Sequence, residues 1–98
     1  MDANMTLYVK EGTMCIASNA LWGFTELDSV HIPNSVISIG KKAFYQSGLK
    51  YIKLPDSLQE INDYTFAECE IGSIELPQTI TRIGENAFEG CTLASINI

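Results

Sequence analysis

The sequence predicts an α/β-type repeat solenoid, with short parallel strands on a concave face and short strands or 3₁₀ or helical turns on the convex side. Its three prolines, Pro33, Pro55 and Pro77, are each 22 residues apart. Apolar residues, a glycine-type position and an alanine–phenylalanine pair keep the same spacing around them. One such unit cannot bury its own apolar face, so neighbouring units must stack to form a continuous core.

Each unit opens with an L-x-x-I-x-I pattern, which predicts a short strand. In the first full unit the apolar positions are Leu27, Val30 and Ile32. Apolar residues two apart are typical of a strand with one buried face. The proline that follows has no N–H group for the ladder, so we expect it to end the strand.

The second half of each unit reads V-x-x-I, then a turn, then A-F. Val36 and Ile39 supply two more inward side chains in the first full unit. Gly40, Asn62 and Gly84 follow in successive units, and we expect positive φ there because these residue types tolerate it best. The A-F pair is expected to form a short helical or 3₁₀ turn. The phenylalanines should stack into a ladder of Phe44, Phe66 and Phe88.

The chain is predicted to form a single repeat domain over residues 1–98. Residues 5–26 carry a weaker copy at a 23-residue offset, and we interpret them as a degenerate first repeat that shields one end of the core. The full repeats and the truncated last one are expected at 27–48, 49–70, 71–92 and 93–98. Since the chain stops just after a strand with an open edge, we expect either a segment of a longer solenoid or a homo-oligomer formed through the open repeat ends.

This pattern resembles the BspA-type leucine-rich repeats of bacterial and protist surface proteins, roughly L-x-x-I-x-I-P-x-S-V-x-x-I-G-x-x-A-F-x-x-C-x-x-L. The stretches 30–36, 39–44 and 83–91 match it most fully. Ser47, Asn62 and Thr65 depart from its cysteine, glycine and alanine positions, and all three are small or turn-compatible residues. The resemblance implies a leucine-rich repeat stack, a cell-surface or extracellular location, and attachment to host, matrix or other cell-surface proteins.

The charge balance disfavours two classes of partner. Six Lys and Arg residues stand against twelve Asp and Glu residues, for a net charge of −6. Nucleic acids and anionic membrane surfaces are both held mainly by basic side chains. No apolar run approaches the roughly 20 residues that span a bilayer, so we expect no membrane insertion. The first five residues lack the basic region and apolar core of a signal peptide, so either the chain is cytosolic or a signal lies upstream of it.

The cysteines and the single histidine do not predict a metal site or a cofactor. Cys15, Cys69 and Cys91 form no C-x-x-C pair, and His31 is the only histidine. Cys69 and Cys91 share one repeat position, about one strand spacing (~4.8 Å) apart, which allows either a disulfide or two buried thiols. In-register side chains run parallel and make the disulfide torsion hard to reach, which favours thiols.

No set of residues predicts catalysis. His31 falls on the outward side of a strand with no carboxylate or cysteine at a motif spacing, which favours a surface histidine over a general base. No nucleophile, base and orienting group can be assembled, so we expect no enzyme. Four aromatic residues are scattered along the sequence and do not form the basic-aromatic pattern of a nucleic-acid surface, namely Trp22, Tyr45, Tyr51 and Tyr64.

The outward positions of the first strands form the candidate binding face. They should line up in register as Ser29 and His31, Tyr51 and Lys53, Ser73 and Glu75, and Ser95 and Asn97. Solenoids use such extended concave faces to bind partners. One hypothesis is therefore a protein-interaction or adhesion module, a segment of a larger cell-surface protein. The alternative is a structural spacer without a ligand of its own.

Overall fold

The computed structural model describes residues 5–93 and 95–97, and the side chains of residues 5–93. Its regular elements are nine short strands: β1 Met5–Tyr8, β2 Cys15–Ile16, β3 Leu27–His31, β4 Ser38–Ile39, β5 Tyr51–Lys53, β6 Glu60–Ile61, β7 Ser73–Glu75, β8 Arg82–Ile83 and β9 Ser95–Asn97. The described residues contain no helix. The fold is therefore a parallel β-solenoid of about four turns, and the α/β and helical-turn parts of the prediction are not confirmed.

The longer strands pair in parallel on one side of the solenoid. β1, β3 and β5 form one sheet, and β7 pairs with β9. β5 and β7 approach each other without forming a ladder. The register pairs His31 with Lys53 and Glu75 with Asn97, each 22 residues apart. β3 ends at His31, two residues before Pro33, as expected for a residue that cannot donate to the ladder.

The shorter strands form a second parallel sheet in the order β2-β4-β6-β8. Its register joins Ile16 to Ile39 and Ile61 to Ile83. Consecutive strands alternate between the two sides over most of the chain, so each parallel crossover is made by a short strand instead of a helix. The repeat bounds remain a prediction, and the 22-residue offset of the ladders is consistent with them.

The core lies between the two strand layers. The inward positions of the V-x-x-I segment are fully buried in the two central repeats, at Val36, Ile39, Leu58 and Ile61. At the last of the four short strands, Ile83 is 44% exposed. Ile96 and Ile98 of the truncated last repeat lie outside the described side chains.

The phenylalanine ladder is confirmed. The ring centroids of Phe44 and Phe66 lie 5.4 Å apart with an interplanar angle of 9°. Those of Phe66 and Phe88 lie 5.5 Å apart at 13°. Phe44 and Phe66 are fully buried, so the ladder joins three successive repeats through the middle of the core.

The turn that contains each A-F pair has an alternating hydrogen-bond pattern. Every second N–H group donates to the next repeat: Lys42 to Asp63 at 3.1 Å, Phe44 to Thr65 at 2.9 Å and Gln46 to Ala67 at 3.0 Å. The N–H groups between them bond three residues back, as Ala43 does to Gly40 at 3.2 Å. An α-helix would direct every N–H group along its own axis. The predicted helical turn is therefore not confirmed, because half of these donors join repeats.

Positive φ falls elsewhere in this turn than predicted. It occurs at Lys42 (59°) and Gln46 (58°), and again at Tyr64 and Glu68 in the next repeat, and not at Gly40 or Gly84. Gly40 is required for a different reason. A Cβ atom there would lie 2.6 Å from the Ser18 nitrogen and 2.8 Å from the Ala17 carbonyl carbon. The glycine position thus permits close approach of two backbones.

Asn62 and Thr65 replace the glycine and the alanine of the repeat pattern, and the structure shows how this repeat tolerates both changes. The Asn62 nitrogen stands 3.3 Å from the Ile39 oxygen, whereas the Gly40 nitrogen stands 2.8 Å from that of Ile16. The Asn62 side chain compensates by donating from Nδ2 to the Ile39 oxygen at 2.8 Å. The buried Thr65 hydroxyl lies 2.9 Å from the carbonyl oxygens of Gly40 and Asn62. Both polar side chains are therefore satisfied within the stack.

The two aligned cysteines are free thiols that join repeats by hydrogen bonds. Cys69 donates from Sγ to the Phe44 carbonyl at 2.9 Å, and Cys91 donates to the Phe66 carbonyl at 3.0 Å. Burial raises the pKa of Cys69 to about 11, and it also raises the pKa of Cys91. These groups are therefore thiols and not thiolates at neutral pH, in agreement with the thiol alternative.

Candidate binding groove

The longer strands and the segments that follow them line an open groove of about 1200 Å³. The groove includes six of the eight predicted site residues, namely Ser29, His31, Tyr51, Lys53, Ser73 and Glu75. The other two, Ser95 and Asn97, lie in β9 beside Ser73 and Glu75 by register, and their side chains are outside the described part. We call this surface the groove below.

Two columns of outward residues run across the strands. Ser29 pairs with Tyr51 and His31 pairs with Lys53 across β3 and β5. The side chains of His31, Tyr51 and Lys53 are exposed, with 65% of Tyr51 accessible. Parallel ladders fix the backbone of each column over β1, β3 and β5 and again over β7 and β9, with no ladder between β5 and β7.

The first strand extends both columns with residues that the sequence analysis missed. Thr6 and Tyr8 pair with Ser29 and His31. The Thr6 and Ser29 hydroxyls are 2.9 Å apart, and the Tyr8 ring stacks on the His31 ring with centroids 4.6 Å apart and an interplanar angle of 10°. The alternation of Thr6 and Tyr8 with the inward Leu7 and Val9 is the signal that could have identified them.

The charges of the groove are separated along the solenoid axis. His31 and Lys53 lie in β3 and β5, whereas Glu75 lies in β7. Within residues 5–93 Lys53 and Glu75 form no ion pair with each other. Lys50 lies 3.8 Å from Asp28 beside them and is half-exposed. On the described part of this face, a ligand can therefore reach an ammonium group and a carboxylate that do not pair with each other.

The groove offers hydrogen bonds, aromatic faces and single charges. Across the described chain, no three His, Cys, Asp or Glu side chains converge as a metal site would require. His31 is in contact with the Tyr8 ring, which is a stacking partner and does not orient the imidazole as a carboxylate would. The arrangement is suited to binding a surface.

Three of the four aromatic residues that are scattered along the sequence, Trp22, Tyr45 and Tyr64, are gathered in the structure. Trp22 and Tyr45 have centroids 5.3 Å apart, and Tyr45 and Tyr64 have centroids 6.2 Å apart. The Lys42 ammonium lies among the three rings. Trp22 and Tyr45 occupy equivalent positions of two repeats, but Tyr64 lies three positions earlier in the next repeat, so the repeat spacing alone does not group the three. We call these four residues the aromatic cup.

Solved structures share this fold. A leucine-rich repeat protein from Bacteroides ovatus superposes with a TM-score of 0.88 at 28% identity, over 95% of this chain and 25% of that one. A leucine-rich repeat protein from T. pallidum gives 0.72 at 26% identity, over 96% and 58%. One from Eubacterium ventriosum gives 0.83 at 21% identity, over 93% and 27%, and shows the fold alone. The chain thus spans about a quarter of two of these proteins and 58% of the third.

A search of curated proteins finds no significant match. Within residues 5–93 and 95–97, no helix has the length and apolar character needed to cross a membrane. The family description "BspA type Leucine rich repeat region", in six copies, matches residues 8–98. That match covers nearly the whole chain, including the strands of the groove and the phenylalanine ladder. The chain therefore belongs to the BspA-type leucine-rich repeat family.

Proposed function

We propose that this chain is a non-catalytic adhesion module, a segment of a larger cell-surface protein, which binds a host, matrix or other cell-surface protein through the groove. Leucine-rich repeat domains are generally protein-interaction or structural modules and are typically non-enzymatic. Proteins with BspA-type repeats are typically associated with the cell surface. These family properties leave open whether this chain binds a partner or only separates other domains.

The contrast between inward and outward positions of the same strands supports a binding role. The inward positions of β3, β5 and β7 are Val30, Ile52 and Ile74, which are three β-branched aliphatic residues. The outward position that follows them changes from His31 to Lys53 to Glu75. Packing in the core accounts for the similarity of the inward residues. A spacer does not need three different side-chain chemistries on one solvent-exposed face, whereas recognition of a partner protein by its charges does.

The test replaces Tyr51, Lys53 and Glu75 together by alanine. A matched control replaces Lys41, Gln59 and Glu85, which are also exposed and lie outside the groove. Binding to a panel of purified extracellular-matrix proteins is measured by surface plasmon resonance. We expect affinity to fall at least about tenfold in the groove variant, with no fall in the control and the circular dichroism spectrum unchanged.

Two outcomes would contradict the proposal. If the groove variant bound with the affinity of the wild type, the groove would not be the binding site. A wild-type chain that binds no protein of the panel, nor the surface of cultured epithelial cells, would favour the structural spacer.

As the alternative to a longer solenoid, we propose a contact between copies of this chain at the edge of β8. Ile83 is 44% exposed there, and a cavity of about 450 Å³ lined by Leu76, Ile80 and Ile83 lies beside it. Strand edges with exposed apolar side chains pair readily with another chain. We expect light scattering at increasing concentration to show association that Ile83→Lys weakens. A mass that stays monomeric at high concentration would rule out this contact.

A further inference from the structure

The aromatic cup holds one ammonium group among three rings. The Lys42 Nζ atom lies 5.1 Å from the centroid of the Trp22 ring and 5.7 Å from those of Tyr45 and Tyr64. Distances within about 6 Å allow cation–π attraction. The rings are tilted against one another by 57° and 68°, so they surround the charge and do not form a flat stack.

Lys42 has no charged partner in the described part of the chain. The ion pairs among residues 5–93 involve Lys50 and Arg82, and no hydrogen bond of the Lys42 side chain is present there. The chain carries twice as many acidic as basic residues, so acidic partners are plentiful. An ammonium group held by rings alone keeps its N–H donors available for an anion.

Hydrogen bonds hold two of the rings in place from the rim. Trp22 donates from Nε1 to Gln46 at 3.4 Å, and Gln46 in turn donates to Glu68 at 3.1 Å. Asn86 donates to the Tyr64 hydroxyl at 2.9 Å. Trp22 nevertheless remains 47% exposed. A large apolar ring that is fixed in orientation yet open to solvent resembles a binding platform more than a packing residue.

We propose that the aromatic cup is a second binding site, which takes an acidic saccharide. The carboxylate of the sugar would accept charge-assisted hydrogen bonds from the Lys42 ammonium, and the C–H face of the same ring would lie on the Trp22 indole. A uronic or sialic acid carries both groups on one ring, which suits an ammonium group that lies 5.1 Å from the centroid of the indole ring. The amides of Gln46 and Asn86 lie at the rim, where sugar hydroxyls would reach them. An acidic peptide would satisfy Lys42 but brings no flat apolar face beside its carboxylate.

The cup shares no residue with the groove, so this site is independent of the adhesion proposal. Because Trp22 is the only tryptophan of the chain, indole fluorescence reports directly on the cup. The probes are trigalacturonate and 3′-sialyllactose, with neutral maltotriose and lactose for comparison and tetraglutamate for the peptide alternative. We expect saturable fluorescence changes with an acidic probe and none with the neutral sugars.

Two substitutions separate the cup from charge in general. Lys42→Gln should weaken binding at least about tenfold. Lys41→Gln removes the same charge from the neighbouring, exposed residue outside the cup and should leave binding unchanged. Trp22→Ala, followed by calorimetry, should abolish the binding heat, and circular dichroism establishes that each variant is folded.

Three results would overturn the assignment. One is the absence of fluorescence change and of heat with both acidic sugars up to about 10 mM. Another is an equal loss of affinity in the Lys41 and Lys42 variants, which would indicate general charge attraction. The third is tetraglutamate binding as tightly as the acidic sugars, which would identify an acidic peptide as the ligand.

Discussion

Replacing Gly40 by alanine adds one methyl group at a junction between repeats. The new Cβ would lie 2.6 Å from the Ser18 nitrogen and 2.8 Å from the Ile16 oxygen. Carbon contacts are most favourable at about 3.5–4.0 Å, so the overlap is close to 1 Å. All of the nearest atoms belong to the backbone, so the strain cannot be relieved by a side chain changing rotamer.

The Asn62 position shows how far two neighbouring repeats separate when a larger residue replaces the glycine. With Asn62 at the equivalent position, the backbone N–O distance is 3.3 Å, against 2.8 Å at Gly40. Overpacking costs about 1–3 kcal/mol, and a weakened hydrogen bond adds about 0.5–1.5 kcal/mol. The reduced entropy of the unfolded chain returns about 0.4–1 kcal/mol. We therefore expect Gly40→Ala to lower the free energy of unfolding by about 1–3 kcal/mol.

Urea unfolding followed by far-UV circular dichroism measures this loss. Gly72→Ala is the matched control, because a Cβ there meets no atom within 4 Å and the φ angle is not in the left-handed region. Its stability should lie within about 0.5 kcal/mol of the wild type. Gly40→Asn is the informative third variant. Its amide can bond the preceding repeat as that of Asn62 does, so the larger residue should be tolerated better than alanine.

The order of the three variants decides whether the argument holds. Close approach predicts that Gly72→Ala is the most stable, Gly40→Asn intermediate and Gly40→Ala the least stable. If Gly40→Ala unfolds at the same urea concentration as Gly72→Ala, the glycine position is not a steric requirement. If Gly40→Asn is the least stable, the compensation at Asn62 is not transferable.

Two further predictions concern the buried ladders. Phe66 is fully buried between two rings, so Phe66→Ala should lower the free energy of unfolding by about 3–5 kcal/mol, measured in urea. Phe88 is half-buried, so Phe88→Ala should lower it by less. Equal losses in the two variants would contradict the ladder as described. Burial raises the pKa of Cys69 to about 11 from an ordinary 9.0, so the folded chain keeps a proton that the unfolded chain releases. The contribution of Cys69 to stability is therefore complete below about pH 9 and is lost as pH rises towards 11. Cys69→Ser, which places the residue type of Ser47 at this position, should remove this dependence of stability on pH. The urea midpoints of the wild type and the variant should therefore converge at alkaline pH. A constant difference between the two midpoints across the pH range would contradict the prediction.

The strand positions were predictable because two periods coincide in the sequence. The 22-residue spacing identifies equivalent residues, and the alternation around Val30 and Ile32 identifies which of them point inward. Together these periods determine the register, and the pairing of His31 with Lys53 follows without tertiary information. The phenylalanine ladder was predictable for the same reason, since a fixed period stacks identical side chains.

The turn conformation and the aromatic cup were not predictable in this way. Local preference disfavours a left-handed backbone at Lys42 and Tyr64, and the hydrogen bonds to the next repeat impose it. Such bonds are visible only once neighbouring repeats are placed against each other. The cup combines Trp22 and Tyr45, which share one repeat position, with Lys42 and Tyr64, which share the position three residues earlier. No single repeat position therefore identifies it.

The alternating backbone N–H donors of the turns affect how a gene for such a chain can gain or lose repeats. Lys42 and Tyr64 donate to Asp63 and Glu85, so successive junctions use the same backbone groups. Every residue except proline carries the same backbone N–H and C=O groups. An in-frame duplication or loss of one 22-residue unit therefore rejoins the same donors to the same acceptors, even where the outward side chains differ. A deletion of one residue within the turn would instead shift the alternation, so that the donors beyond it would no longer face their acceptors across that junction. Recombination can thus exchange outward side chains in blocks without selecting a new fold each time.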